Sequence, residues 1–329
     1  MKGIFGLGIA LLFFVSCTRQ DQHTASTHPN FEGLDFCRVD QFVFNEKPFA
    51  ENESRCDSVF SFFCKEILRI GGPDSWEFGS LYREFSSDAN WKHVQTEIEE
   101  VHGNLELEKA RIEQFFGKYA GVFSQEALPT VFFYNGGFNF GVFPDKALLG
   151  VGLEWYLGKK SSVYPRLAPE SFPNYRKAQM VPERLVAQAC LGYLNYHHFE
   201  SKGNRWVDLA IAHGKMMYLA SLFLEEEPLH YWLGYSQEKW NWAVQKEYFV
   251  WKDIVKNEVL YSTDLENRRR FFVDGPFTNG YPQESPANLG KYMGYRMVVD
   301  FMRDHEEVSL NELLTTKSDL ILKSYNPKK

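Results

Sequence analysis

Cys17 is the residue whose surroundings most clearly indicate covalent chemistry. Lys2 places a positive charge near the N-terminus, residues 3–15 are all apolar or glycine, and the pair Ser16-Cys17 follows. A charge, an apolar run and a small residue before a cysteine resemble a bacterial lipobox, whose cysteine is diacylated before cleavage on its N-terminal side. The sequence therefore predicts a signal peptide over residues 1–16 and a covalent lipid on Cys17, with no other cofactor.

The mode of membrane attachment follows from the length of that apolar run. A helix needs about 20 apolar residues to cross the hydrocarbon core of a bilayer, and the run is shorter. We therefore expect attachment by the lipid anchor, in which each buried methylene contributes about 0.8 kcal/mol. An ordinary secretory signal that happens to contain a cysteine is the alternative. The segment Thr18–Gln22 carries no clear surface-export signature, which favours a position facing the periplasm and leaves the membrane leaflet open.

Metal or acid–base chemistry would draw on nine histidines and 43 acidic residues. No two histidines are four positions apart, so no pair has the H-E-x-x-H spacing that binds one zinc ion from a single helix face. Glu183, His198 and His213 are the remaining candidates for a metal or proton-transfer site. A buried histidine with satisfied hydrogen bonds explains His213 equally well, and the adjacent pair His197-His198 points to two faces of a helix. We therefore predict no catalytic residue.

Four further cysteines lie at positions 37, 56, 64 and 190. An exported protein enters an oxidising compartment, so Cys37 can pair with Cys56 or with Cys64, and the sequence leaves that choice open. No two of them are spaced as C-x-x-C, which removes the zinc-ribbon and thioredoxin classes. Cys190 lies on an apolar helix face and is predicted to pack as a small hydrophobic side chain.

Composition indicates one folded domain that does not bind nucleic acid. The net charge is −7 and the pI about 5.8, and lysine and arginine form no continuous basic stripe. Residues 17–30 are polar and are predicted to form a flexible tether. Apolar residues then recur to the C-terminus without a linker, so residues 31–329 are predicted to be a single globular domain.

The apolar period predicts helices on both sides of a short sheet. In residues 31–126 we expect helices at 52–70, after Asp74 or Ser75, after Asp88, and at 105–122. In residues 161–329 we expect helices after Pro182, at 206–224, at 236–261, from an N-cap at Ser285 to Asp304, and after a capping box of Ser309 and Glu312.

The intervening residues 127–160 predict a sheet of about three strands. Residues 128–134 and 138–143 flank the turn Asn135-Gly136-Gly137 and are expected to form an antiparallel hairpin. Residues 148–157 add a further strand. The predicted class is therefore α+β, mainly helical, with a small and mostly antiparallel sheet.

Several blocks between residues 128 and 314 form a recognisable series. They are Gly152–Gly158, Tyr164-Pro165, Met180–Pro182, His213–Lys215, Gly234–Ser236, Leu260–Asp264, Pro276–Gly280, Glu284–Pro286 and Val308–Leu314. In this order and spacing they resemble the gliding motility lipoprotein GldB family of the Bacteroidota. The resemblance implies a cell-envelope lipoprotein that works with other envelope or motility proteins in the gliding and type IX secretion apparatus.

That family is itself similar to zincin-type zinc peptidases, which implies a degenerate zincin-like fold. In zincins, the two histidines of H-E-x-x-H and a glutamate from the next helix bind the zinc ion. In this chain the first helix opens with Pro182–Gln188, and the second has His213-Gly214 where Glu-Gly is expected. The resemblance thus implies that the fold is retained without its metal.

These observations support three functional hypotheses. The first is a non-catalytic accessory lipoprotein of the motility apparatus. The second is a diverged metallopeptidase that acts on envelope peptides through unconventional ligands near Glu183, His198 or His213. The third is a lipoprotein that binds a peptide or glycan without cutting it.

A long loop over residues 274–286 supplies the candidate residues for the binding hypothesis. Loops of this length that are rich in glycine and proline often contact partners or border clefts. The candidates are Phe277, Asn279, Gly280, Tyr281 and Ser285, of which Phe277 and Tyr281 are expected to be exposed.

Replacing Cys17 by serine removes the thiol that carries the predicted lipid. We expect the Cys17→Ser chain to be released from membranes or to persist as an unprocessed precursor, as measured by membrane fractionation and immunoblotting. Ser16→Ala keeps a small residue before the cysteine, and this control should stay anchored. Correct processing with normal membrane retention of Cys17→Ser would contradict the lipid tether.

Overall fold

The structure, a computed structural model, describes residues 25–45 and 56–327. Cys17 with its predicted lipid and the predicted signal peptide lie outside these residues. None of the helices in the described ranges is long and apolar enough to span a bilayer.

The chain packs against the domain within the segment predicted to be a tether. Ala25 is buried, and the amide of His28 donates to the carbonyl oxygen of Gly117 at 2.9 Å. A Cβ on Gly117 would lie 2.9 Å from Thr27 Cγ2, so the missing side chain allows this close approach. Residues 25–30 are therefore part of the folded body.

A four-stranded mixed sheet stands near the centre of the domain. Its strands are β1 (Phe36–Arg38), β2 (Thr130–Tyr134), β3 (Val142–Pro144) and β4 (Leu148–Gly152), in the spatial order β1-β2-β4-β3. Both β1 and β4 run parallel to β2, and β3 runs antiparallel to β4. The strand β1 lies outside residues 127–160, where the sheet was predicted. The sequence did not indicate this strand, because three residues are too few to produce a recognisable period.

The predicted hairpin across Asn135-Gly136-Gly137 is wrong, and so is the mostly antiparallel sheet. β2 has a parallel partner on each side and all five of its residues are buried. A continuous apolar run is typical of such a central strand, whereas a half-exposed hairpin strand alternates. The antiparallel pair is β3 with β4, and β4 ends at Gly152, before a 3₁₀ turn at Leu153–Tyr156.

Side chains of β2 point alternately into two cores, so helices cover both faces of the sheet. Val131 and Phe133 belong to the larger core, which the C-terminal helices complete. Phe132 and Tyr134 belong to a smaller core beneath the N-terminal helices.

The α-helices of the described residues cover most of the chain on either side of the sheet. In chain order they are α1 (Val39–Asn45), α2 (Cys56–Phe62), α3 (Phe78–Ser87), α4 (Ala89–His102), α5 (Glu106–Val122), α6 (Asn174–Lys177), α7 (Leu185–His198), α8 (Trp206–Phe223), α9 (Leu229–Trp232), α10 (Gln237–Gln245), α11 (Glu247–Lys256), α12 (Leu265–Phe272), α13 (Leu289–Asp304), α14 (Leu310–Thr315) and α15 (Ser318–Lys323).

Several predicted helix starts are confirmed. The Asp88 side chain accepts hydrogen bonds from the amides of the first turn of α4, and Ser309 and Glu312 form the capping box of α14. Pro182 opens a 3₁₀ turn that leads directly into α7. These signals are local, so the sequence alone is enough to read them.

Other helix predictions need correction. The segment 236–261 is two helices, α10 and α11, which meet at Lys246. Ser285 is not an N-cap, because α13 begins at Leu289 after Asn288, whose φ is 58°. The helix expected after residues 74–75 is α3, which starts later and has no side-chain cap.

A disulfide joins Cys37 of β1 to Cys56 of α2, which decides between the two partners that the sequence left open. Cys64 and Cys190 are buried free thiols. Closing a loop of 19 residues restricts the unfolded chain, and loops of this size are stabilised by about 3 kcal/mol. The cross-link ties the edge of the sheet to the N-terminal helical layer.

The C-terminal half is organised around the crossing of α8 and α13. A Cβ on Gly214 would lie 2.2 Å from the carbonyl oxygen of Gly294, and a Cβ on Gly294 would lie 1.7 Å from the carbonyl oxygen of Ala210. Only glycine allows two helix backbones to approach this closely. The crossing brings His213 of α8 and Lys291 of α13 to the same side of the domain.

Gly294→Ala should disrupt this crossing, because the new methyl group meets backbone that cannot rotate away. We expect a loss of at least about 2 kcal/mol in the free energy of unfolding, measured by urea denaturation. Gly79→Ala is the matched control, because Gly79 lies on the exposed side of α3 with no atom within 4 Å of the added Cβ. Equal stabilities for the two variants would show that the close crossing is not required.

Candidate functional site

A cleft of about 540 Å³ opens where α7, α8, α9 and α13 meet the segment that follows β2. Its lining includes Gln188 and Asn195 of α7, His213 of α8, Lys291 of α13, and Asn288 and Trp155. Clefts in which a few polar groups converge among apolar ones are the usual place for a ligand. We therefore take this cleft as the candidate site.

A buried carboxyl group positions one wall of the cleft. Glu154 is fully buried, and its Oε1 accepts hydrogen bonds from the amides of Gly136 at 2.9 Å and Phe138 at 3.0 Å. Burial raises the pKa of Glu154 to about 8, and the two amide donors act in the opposite direction. The glycine pair at 136–137 therefore belongs to a loop whose backbone amides donate to the Glu154 side chain. This loop leads into Asn139–Gly141, which line the cleft.

The imidazole of His213 packs between two aromatic rings. Its centroid lies 4.6 Å from that of Phe199 and 5.7 Å from that of Phe272. Burial lowers the pKa of His213 to about 3, and the positive charge of Lys291 acts in the same direction. The ring is therefore neutral at neutral pH, and within the described residues no group hydrogen-bonds to it. The interpretation of His213 as a buried histidine with satisfied hydrogen bonds stays a prediction.

Lys291 brings a cation into the cleft without a protein counter-ion in contact. Among residues 25–45 and 56–327, its Nζ has no hydrogen bond and no ion pair. Burial lowers the pKa of Lys291, and the carboxylate of Asp274 opposes that effect from a distance. A half-buried ammonium without a partner is costly, and proteins tolerate such groups mainly at functional sites.

Three further polar atoms at the cleft lack hydrogen bonds within the described part of the chain. Asn288 is 5 % exposed, and its Nδ2 donates to Asp274 Oδ1 at 2.7 Å while its Oδ1 has no partner. Asn195 Oδ1 and Trp155 Nε1 are likewise buried without partners. Each such atom costs about 1–3 kcal/mol, which a ligand with matching groups would offset.

The three residues predicted as candidate metal ligands do not come together. Glu183 is exposed in a separate depression lined also by His230. His198 lies in an aromatic cluster, where its Nε2 is 2.9 Å from Tyr119 Oη and its ring stacks on Phe123. Only His213 lines the cleft.

The donor set of the cleft does not suit a divalent metal ion. Its lining includes one histidine and one carboxylate, His213 and Asp274, and the nearby ammonium of Lys291 repels cations. In the described ranges, no three histidine, cysteine, aspartate or glutamate side chains are placed to hold a metal together. We therefore derive no metal-assisted step for this cleft.

The loop over residues 274–286 borders the cleft through its first residue, Asp274. Tyr281, which we expected to be exposed, is buried, and its hydroxyl donates to Asp253 Oδ2 at 2.7 Å. Ser285 is fully buried, and Phe277 is half-buried. The ammonium of Lys239 fixes the loop by donating to three of its carbonyl oxygens. Binding by Phe277, Asn279, Gly280, Tyr281 or Ser285 stays a prediction.

Sequence reasoning missed Lys291, Asn288, Asn195 and Trp155. A signal for Lys291 was present, because it shares a helix face with Tyr295 and Val298, which are both buried. A lysine at such a core position is unusual. Asn288 had no comparable signal, since its left-handed backbone conformation depends on the surrounding structure.

The sequence profile of the family described as "Gliding motility protein GldB" matches residues 21–327. No curated protein and no solved structure matches the chain. The expected similarity to zincins therefore stays a prediction.

The depressed pKa of His213 predicts acid sensitivity. In the unfolded chain His213 binds a proton below about pH 6.5, whereas in the folded chain it does so only near pH 3. The free energy of unfolding therefore falls as the pH drops from 6.5 towards 3. We expect His213→Phe to reduce the loss between pH 7 and 5 by on the order of 1 kcal/mol, measured by urea denaturation at each pH. The exposed-histidine variant His93→Gln serves as control. If His213→Phe and the wild type showed the same pH dependence of the free energy of unfolding, the pKa of His213 in the folded chain would not be lowered as expected.

Proposed function

The chain belongs to the gliding motility protein GldB family, and we propose that it is a non-catalytic accessory component of the gliding and type IX secretion apparatus. Membership of this family marks it as a gliding-motility-associated lipoprotein of the cell envelope. In the proposal, the lipid on Cys17 anchors the chain, and the domain faces the periplasm and contacts other envelope proteins.

The presence of Lys291 in the cleft supports the non-catalytic part of the proposal. A hydrolytic metal site needs three protein ligands around a cation and an open position for water. Among the described residues that line this cleft, His213 is the one histidine, and the neighbouring ammonium of Lys291 has no partner in those ranges. A positive charge at this position disfavours binding of a metal ion.

The thiols offer no alternative nucleophile in this proposal. Cys190 is fully buried in α7, and burial raises the pKa of its thiol far above neutral pH. Burial also raises the pKa of Cys64 to about 12. Nucleophilic attack needs an accessible thiolate, so both cysteines are better explained as core side chains.

The second candidate, a diverged metallopeptidase, rests on the accessible histidine of the cleft. His213 and Asp274 line the same cavity, and a third ligand could come from a substrate or from a partner. This candidate makes a different prediction about metal content, which separates it from the accessory role.

We expect the full chain, purified in detergent, to hold far less than one equivalent of zinc by elemental analysis. Added chelator should leave its melting temperature unchanged, because a metal bound only to the folded state would raise that temperature. Stoichiometric zinc together with a chelator-sensitive melting temperature would replace the accessory role with the metallopeptidase.

A deletion in the native bacterium tests the accessory role directly. Deletion of the gene should stop surface spreading, type IX secretion or both. Complementation with Glu183→Gln should restore whatever is lost, since Glu183 has no catalytic role in the proposal. Normal spreading and normal secretion in the deletion strain would contradict the accessory role.

A further inference from the structure

We propose that the cleft binds a carboxylate-bearing peptide segment, with Lys291 as the cationic anchor and with Asn288 and Asn195 as acceptors for the peptide amides. The proposal deepens the proposed function, because it assumes that the cleft binds its ligand without cutting it. The carboxylate can be a peptide C-terminus or an acidic side chain, and both sources share the same recognition chemistry.

Lys291 supplies the main attraction for an anion. Its ammonium has no contacting partner in the described ranges, and the carboxylate of Asp274 is already hydrogen-bonded to Asn288. A charge-assisted hydrogen bond between an ammonium and a carboxylate is about twice as strong as a neutral one. A ligand carboxylate would therefore complete a site that the protein leaves unpaired.

The unpaired neutral atoms specify more than a simple anion. Asn288 Oδ1 and Asn195 Oδ1 are buried acceptors, and Trp155 Nε1 is a buried donor. An isolated acetate ion has no hydrogen-bond donor for the two acceptors. A peptide carries N–H donors and C=O acceptors along its backbone next to its carboxylate, and so matches all three atoms as well as the ammonium.

The shape of the cleft agrees with a short peptide. Its volume is about 540 Å³, and its walls include the aromatic residues Phe140, Trp155, Tyr231 and Trp232. Flat rings in these walls can cover apolar atoms of an extended segment, while the polar groups fix its register. Asn288 has a left-handed backbone conformation, with φ 58°, which asparagine adopts more readily than most residues, and it lines the cleft.

The test is a calorimetric titration of the full chain in detergent with three N-acetylated alanine–glycine hexapeptides. The first has a free C-terminal carboxylate, the second is amidated, and the third is amidated with one central glutamate. We expect at least one carboxylate peptide to bind about tenfold more tightly than the neutral one. The better of the two identifies the source of the carboxylate.

Two variants connect that preference to named residues. Lys291→Met should remove the tenfold preference and keep or raise the melting temperature, because it replaces a poorly solvated charge with an apolar side chain. Asn288→Gly keeps the left-handed backbone and should weaken all peptides alike. Lys256→Met, at the exposed end of α11, is the matched control and should bind as the wild type does.

Four outcomes would overturn the proposal. They are equal affinity for the charged and neutral peptides, an intact preference in Lys291→Met, a lower melting temperature for Lys291→Met that reveals a structural lysine, and the absence of binding by all three peptides. Mass spectrometry of the titrated peptides keeps the two proposals apart. Cleavage of a peptide would overturn the non-catalytic function but not peptide binding. The absence of both binding and cleavage would overturn peptide binding but not the non-catalytic function.

Discussion

The backbones of α8 and α13 touch at Gly214, Gly294 and Ala210, with no side chain between them. This contact sets the distance between the two helices where they border the cleft, because residues close to the glycines line it. His213 precedes Gly214, and Lys291 lies one helical turn before Gly294. A larger residue at the crossing would separate the two helices and, with them, the imidazole and the ammonium.

The cleft concentrates groups that lower the stability of the fold. Within the described part of the chain, one cavity is lined by an ammonium without a contacting counter-ion, by a histidine whose pKa is lowered, and by three buried polar atoms without partners. The surrounding core of aromatic and aliphatic side chains is large enough to offset them. Such a local excess of unsatisfied polarity is common where a protein meets a ligand.

Two interactions outside the C-terminal helices support the other wall of the cleft and the sheet behind it. Glu154 holds the loop after β2 through two backbone amides, and the Cys37–Cys56 disulfide joins β1 to the N-terminal helical layer. The hydrogen bonds of Glu154 hold the loop that leads into Asn139–Gly141, next to Trp155.

The sequence by itself determined the features whose signals are local. These are the lipobox predicted at Cys17, the family resemblance, the caps at Asp88 and Ser309, and the mainly helical α+β class. It also showed that no histidine pair has zincin spacing. Only the tertiary structure decided the features that join distant segments: the parallel partners of β2, the choice of Cys56 by Cys37, the burial of Tyr281, and the meeting of Lys291 with His213 and Asn288. The physical reason is that caps and apolar periods act within a few residues. Strand partners, buried charges and unpaired polar atoms are set by packing between segments that are far apart in the chain.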